Sequence, residues 1–139
     1  MKGVVSMRST VAVVALMALG LCMAPAQERD AGGVTFKKDV FPIVQKHCLP
    51  CHAEDNFNPS DLSLDSYDQL MQGGKNGAPV VAGKASESML LKKLGEKPPF
   101  GERMPLNKKQ VIAEGKAKYL SPAELKIITE WINGGAKND

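Results

Sequence analysis

Histidine is nearly absent from this chain, with two in 139 residues, His47 and His52. Cysteine is scarce too, at Cys22, Cys48 and Cys51. A scaffold stapled by many disulfides is therefore excluded. So is a centre built from several separated histidines. Aromatic side chains are few: one Trp, two Tyr and four Phe. That is a thin supply for a domain of this size to build its own core. No basic block with interleaved aromatics occurs, which argues against a nucleic-acid partner. The apolar run Val11 to Met23 has 13 residues, short of the ~20 needed to span a bilayer as a helix.

That run has a different meaning in its setting. Lys2 and Arg8 are the only charges before it, and Ala24-Pro25-Ala26 follows it with small residues two apart. This is the pattern of a cleaved secretory signal peptide. Two alternatives stand beside it. An uncleaved anchor is opposed by the shortness of the run, and a lipoprotein attached through Cys22 is opposed by the bulky Leu21 before it. Cleavage after Ala26 removes Cys22, Lys2 and Arg8, so the formal charge falls from +3 to +1. The expected organisation is a signal peptide at 1–26, a flexible leader at 27–33 and one domain at 34–139. The product is periplasmic or otherwise exported, with no stable membrane span after cleavage.

Both remaining cysteines lie in one pentapeptide, CLPCH, formed by Cys48 to His52. C-x-x-C-H is a covalent haem signature. Two thiols three positions apart on one turn can add to vinyl groups on one edge of a porphyrin. The next histidine is then held beneath the iron, for which imidazole is a good ligand. Attachment needs reduced thiols outside the cytoplasm, which export provides. Three rivals are weaker. A thioredoxin-like pair needs a preceding strand in a βαβ setting, and the preceding segment here is helical. A zinc site fails because His47 and His52 flank the same cysteines too tightly and no second ligand pair follows. A disulfide across so short a loop would add little stability.

The local pattern is helical throughout. Phe36, Val40, Ile43, Val44 and His47 recur at helical spacing after a capping Thr35. Pro42 either kinks this helix or opens a second one. Ala53 to Asp61 reads as loop, and Leu62-Ser63-Leu64 is too short to demand a sheet. A short helix is capped by Asp65 or Ser66 and stopped by Gly73-Gly74. Lys75 to Gly83 is loop. Ser86 and Glu87 open a helix that ends at Gly95. Glu96 to Leu106 holds Pro98, Pro99, Gly101 and Pro105 and cannot be a long helix. Lys108 to Lys118 is a Lys-rich surface excursion. Ser121-Pro122-Ala123-Glu124 opens a final helix with an apolar face of Leu125, Ile128, Trp131 and Ile132, ended at Asn133-Gly134-Gly135. The sum is about three to five short helices with long connections, more loop than a small bundle normally carries.

The second axial position decides what such a haem does. His47 precedes Cys48 directly and cannot easily cross the ring, so a bis-histidine centre is disfavoured. Met71, Met89 and Met104 survive cleavage. The first two sit at apolar helical positions, where packing is the default. Met104 lies in the Pro- and Gly-rich stretch beside Pro105, 52 residues after His52, and is the candidate distal ligand. A vacant or water-filled position is the alternative, with Met104 then an ordinary loop anchor. Met/His ligation suits one-electron transfer.

These residues resemble the class I-type c cytochromes, and more closely the small cytochrome c domains of planctomycetes and related bacteria. Phe36 to Ile43 (FKKDVFPI), CLPCH, Leu62 to Asp65, Gly73-Gly74, Val80 to Leu91, Met104-Pro105 and Trp131 to Ala136 carry the likeness. It implies an all-α, cytochrome c-like fold wrapped around one covalent haem c. It implies N- and C-terminal helices packed together, with Trp131 against the core. It also implies thioethers at Cys48 and Cys51, with His52 and Met104 as the iron ligands. The Leu106 to Tyr119 stretch departs from this pattern by being longer and more basic.

The expected function is therefore an electron carrier rather than an enzyme. A haem enzyme or a gas or redox sensor with an open distal site is the alternative, and a thiol oxidoreductase a weaker one. Lys92, Lys93, Lys97, Lys108, Lys109, Lys116 and Lys118 form either a docking face for acidic redox partners or simply solvated helix faces. Lys84 and Arg103 are placed to meet haem propionates.

Overall fold

The computed structural model describes residues 33–56 and 58–139. The expected signal peptide, Cys22 and all of the expected leader except Gly33 lie outside the described residues. A turn of π-helix, Phe36–Val40, leads straight into α1, Phe41–His47. Then come α2 (Leu49–His52), α3 (Tyr67–Gln72), α4 (Met89–Leu94), α5 (Lys109–Ala113) and α6 (Pro122–Asn133). Among the described residues there is no strand, only one bridge between Gly74 and Gly77. None of the described helices is long and apolar enough to cross a membrane. The all-α expectation holds, with more and shorter helices than expected because two of them, α2 and α5, are single turns.

Pro42 stands in the first turn of α1, where its missing N–H costs nothing. Of the two readings of Pro42, the start of a second helix is the one adopted. Thr35 does not cap the first turn with its side chain. The arrangement is reversed: Asp39 Oδ2 accepts from Thr35 N at 2.8 Å and from Thr35 Oγ1 at 3.1 Å. The α4 start also falls later than Ser86. Ser88 is fully buried, and its Oγ accepts from Val81 N at 2.9 Å and donates to Lys84 O at 3.0 Å. That network keeps 84–88 as turns and leaves the helix to begin at Met89.

The core joins both ends of the domain. Phe36, Val40, Ile43 and Val44 from the first segments meet Ile128, Trp131 and Ile132 of α6, with Leu64, Leu70 and Leu94 filling between them. Phe36 lies 5.4 Å from Trp131 and 5.3 Å from Tyr67, ring centre to ring centre, and Tyr67 meets Trp131 edge-on at 6.4 Å. Such tilted and edge-on pairs add to simple burial. A few aromatics are thus concentrated in one place. The polar tips are satisfied as well: Tyr67 Oη donates to Ala136 O at 2.8 Å and Trp131 Nε1 to Lys137 O at 2.9 Å.

The final helix is held at its start by a full capping box. Ser121 Oγ accepts from Glu124 N at 3.2 Å, and Glu124 Oε2 accepts from Ser121 N at 2.8 Å. Two orphan N–H groups are thereby satisfied reciprocally.

Candidate haem attachment site

The pentapeptide sits at the end of α1. Cys48 N donates to Val44 O at 2.8 Å, so the chain is still helical when it reaches the first cysteine. Cys51 N and His52 N both donate to Cys48 O, at 3.0 and 2.8 Å. One tight turn therefore brings Cys48, Cys51 and His52 together, as the spacing requires. Both cysteines are free thiols, Cys48 half-buried and Cys51 exposed. Burial, and secondarily the Cys51 thiol beside it, pushes the Cys48 thiol up to about 11. A thioredoxin-type pair needs the opposite, a lowered thiol. It also needs a strand before the motif, where this chain has α1.

His52 is held at both its backbone and its ring. Its carbonyl accepts from Leu64 N at 2.9 Å. Its Nδ1 lies 3.0 Å from Leu62 O. A carbonyl oxygen only accepts, so Nδ1 carries the hydrogen and Nε2 keeps its lone pair. That is the tautomer a metal-ligating histidine requires, fixed by the hydrogen bond its other nitrogen makes. Two thiols and one such imidazole on a single turn fit a c-type haem. Among the described residues no group of three or more His, Cys, Asp and Glu converges to hold a bare metal ion.

The Leu62 carbonyl is itself positioned. Asn58 Oδ1 accepts from Ser60 Oγ at 2.8 Å and Leu62 N at 3.0 Å, curling the loop into an Asx-type turn. Lys75 N donates to Ser60 O at 2.8 Å from the other side. A Cβ on Gly74 would collide with that same Ser60 carbonyl, and one on Gly73 (φ +78°) with the Gly77 carbonyl. Gly74 thus serves as a close backbone contact against the loop that orients His52, and Gly73 as one within the turn that follows. The sequence marked Gly73-Gly74 as a helix stop and as part of the family likeness, not as this contact. The Leu62 carbonyl and Asn58 had no signal beyond a loop-forming composition.

His47 lies on the α6 side of the motif. Its Nε2 donates to Glu124 Oε1 at 3.0 Å, and Lys46 Nζ reaches the same oxygen at 3.0 Å. The Ser121 N–H first, and then His47, hold the Glu124 carboxyl well below the usual carboxylate range. His47 thus fastens α1 to α6.

Met104 is on a separate element. Its N–H donates to Lys93 O at 2.8 Å, which hangs the residue from the end of α4. The Met104–Pro105 peptide is cis. Among the described residues no hydrogen bond links Met104 to CLPCH, but Cys48 and Met104 both pack against the one apolar cluster. Met71 also packs there, and Met89 is half-buried on α4.

The loop before Met104 is gathered by two cations. Lys93 Nζ donates to Phe100 O and Glu102 O, each at 2.6 Å. Arg103 Nε donates to Leu94 O at 2.9 Å while its guanidinium stacks 3.8 Å from the Tyr119 ring centre. The two candidate propionate partners are therefore both engaged within the protein, Arg103 in this way and Lys84 with Glu87 at 3.2 Å.

A helical domain that presents CLPCH on one turn is what a c-type cytochrome requires. Residues 48–105 match the family model described as planctomycete cytochrome C. Over that stretch the chain is similar to a planctomycete-type cytochrome c domain, the family its sequence resembles. A match to that family implies a covalently bound haem c. One solved structure, the hydrazine synthase of Kuenenia stuttgartiensis, is 25% identical with a TM-score of 0.45, covering 74% of this chain and 16% of that chain. No curated protein matches the chain.

Proposed function

We propose that this protein is an exported mono-haem cytochrome c that carries single electrons, with His52 and Met104 as iron ligands. The observation that carries the reading is the His52 ring. Its Nδ1 is committed to Leu62 O at 3.0 Å, so Nε2 is presented in one tautomer and one orientation. Beside it, the Cys48 and Cys51 thiols would each add S–H across a vinyl group and fix the macrocycle by two thioethers. A haem bound there supplies a one-electron couple, whose potential a methionine on its second side raises.

The residues then have distinct tasks. Cys48 and Cys51 hold the group permanently, so it is not lost on either side of the redox cycle. His52 donates from a fixed ring, so the donor need not reorganise when charge changes. Met104 supplies a soft thioether from a loop tied to Lys93 O. Held by both His52 and Met104, the group would supply one-electron chemistry and would leave no ready site for oxygen or peroxide. Partners are other redox proteins, met transiently.

Haem staining on a denaturing gel tests attachment, and colour retained after boiling in detergent is the expected result. The oxidised protein should then show the methionine–iron charge-transfer band, and Met104→Ala should abolish it. A wild type that lacks the band and readily binds carbon monoxide would overturn the carrier reading in favour of an open-site enzyme or sensor.

A further inference from the structure

The stretch between Met104-Pro105 and α6 forms a projection that the core does not use. Asn107 closes its neck. Its Nδ2 donates to Pro105 O at 2.9 Å and Lys118 O at 3.2 Å, and its Oδ1 accepts from Lys118 N at 3.0 Å. Residues 108–117 are thereby pinched into a finger. Its one helix, α5, contributes no buried residue. Leu106 at the base is 64% exposed and Ile112 on α5 is 43% exposed.

The finger also concentrates charge. Lys108, Lys109, Lys116 and Lys118 are all exposed. Lys116 pairs with Glu114 at 3.0 Å, whereas the other three form no ion pair with any described residue. Four lysines and one glutamate give residues 107–118 a formal +3, although Gln27 to Asp139 as a whole carries only +1, so the remainder is −2. Lys93 does not belong to this face, because its ammonium turns inward to the Phe100 and Glu102 carbonyls.

We propose that this finger is the docking surface for an acidic redox partner protein, an inference that rests on the carrier reading above. Its lysines draw in a carboxylate-bearing surface and raise the encounter rate. Leu106 and Ile112 supply a small dry contact inside the charged rim, the size a short-lived complex needs. The neck bond from Asn107 to Pro105 sets the docked partner beside Met104. Two exposed apolar side chains, one at the base of the finger and one on its single-turn helix, bury too little area for a lipid interface, which favours a protein surface over a membrane.

The test is electron transfer from the reduced holoprotein to oxidised plastocyanin, a blue-copper protein with an acidic face, timed by stopped flow over a salt series. Each turnover moves one electron from the haem iron to the copper. Wild type should slow steeply as salt rises. Replacing Lys108, Lys109, Lys116 and Lys118 together by Gln should cut the low-salt rate about 10-fold and flatten the salt slope. A control with Lys92→Gln and Lys97→Gln should keep both. Tris(phenanthroline)cobalt(III), a small oxidant, should react in every variant. If it does and the fourfold variant still matches wild type on plastocyanin, the docking surface is overturned and the carrier reading stands. If wild type fails to reduce the cobalt complex, the carrier reading falls and the docking surface with it. Finger-dependent binding to phosphatidylserine vesicles, with no effect on the plastocyanin reaction, would overturn the proposal in favour of a membrane surface.

Discussion

Residues 48–64 and residues 93–105 each present one candidate iron ligand, yet they are held by different kinds of bond. On the first side, His52 is fixed through backbone groups: Cys48 O, Leu62 O and Leu64 N, braced in turn by Gly74 against Ser60. On the second side, Met104 has one backbone bond, to Lys93 O, and its loop is gathered by the long side chains of Lys93 and Arg103. Backbone bonds between close-packed segments open only when the segments part. Bonds made by a flexible cation at a partly exposed site open locally and cheaply. The histidine side is therefore the rigid half of the candidate site and the methionine side the adjustable half. Substitutions that remove packing or brace the histidine side should cost global stability, and those on the methionine side should cost order without much stability.

The largest effect is expected at Trp131, which is 2% exposed and meets both Phe36 and Tyr67. Trp131→Ala should lower unfolding stability by about 3–5 kcal/mol, the range for large-to-small core changes. Urea unfolding of the holoprotein, followed by far-UV circular dichroism, checks it. Gly74→Ala comes next at about 1–3 kcal/mol, because the new methyl meets a backbone carbonyl that cannot turn aside. It should also disturb the His52 ring, visible as a shift of the ring proton resonances, whereas Trp131→Phe should not.

A smaller effect belongs to Glu124, which closes the capping box and accepts from His47. Glu124→Gln keeps an acceptor for the Ser121 N–H and loses the charge toward His47 and Lys46, and should cost about 0.5–1 kcal/mol near neutral pH. The sign with pH follows from the lowered folded-state pKa. The carboxylate's contribution is complete above its unfolded value of about 4.3 and is lost as pH falls through the lower folded one. Wild type and Glu124→Gln should therefore converge in stability as urea melts are taken below about pH 4. A gap that stays constant down to acid would show that the carboxylate charge is not what holds α1 to α6.

The same contrast explains what could be read from the sequence. CLPCH and the Ser121-Pro122-Ala123-Glu124 start are local signals, complete within five residues or fewer, and both stand in the structure as their spacing required. Pro42 left two readings because a first-turn proline and a kink look alike until the preceding turn is seen. Thr35 does hold the N-cap position, but its hydroxyl donates to Asp39 instead of accepting from the first turn, a choice of partner that the sequence does not mark. The α4 start moved to Met89 because Ser88 is buried against Val81 and Lys84, a tertiary preference that outweighs local propensity. The His52–Leu62 bond was invisible for a plainer reason: its acceptor is a backbone carbonyl, which every residue type has. Lys93 read as one of several surface lysines, since nothing in sequence marks an ammonium that will fold back onto two carbonyls.

Lys93 gives the smallest change in stability and the sharpest test of the contrast. Its ammonium donates to Phe100 O and Glu102 O and lies 4.7 Å from the Phe100 ring centre, which is itself 44% exposed. Lys93→Met keeps the aliphatic stem and the backbone acceptor for Met104 N, and removes only the ammonium, with its two charge-assisted bonds and its contact with the Phe100 ring. Global unfolding should change by about 1 kcal/mol or less, because the loop adds little buried area. Local opening should respond more. The Met104 amide should exchange its hydrogen about 10-fold faster, while the Leu64 amide, bonded to His52 O, should keep its wild-type rate. In the oxidised holoprotein the charge-transfer band expected from Met104 ligation should weaken with warming well before the helices melt. Were both amides to accelerate together, the two halves would open as one unit, and the division into a rigid and an adjustable side would be wrong. Were neither to change, the single bond from Met104 N to Lys93 O would suffice to hold the loop, and the ammonium would be an ornament of the surface.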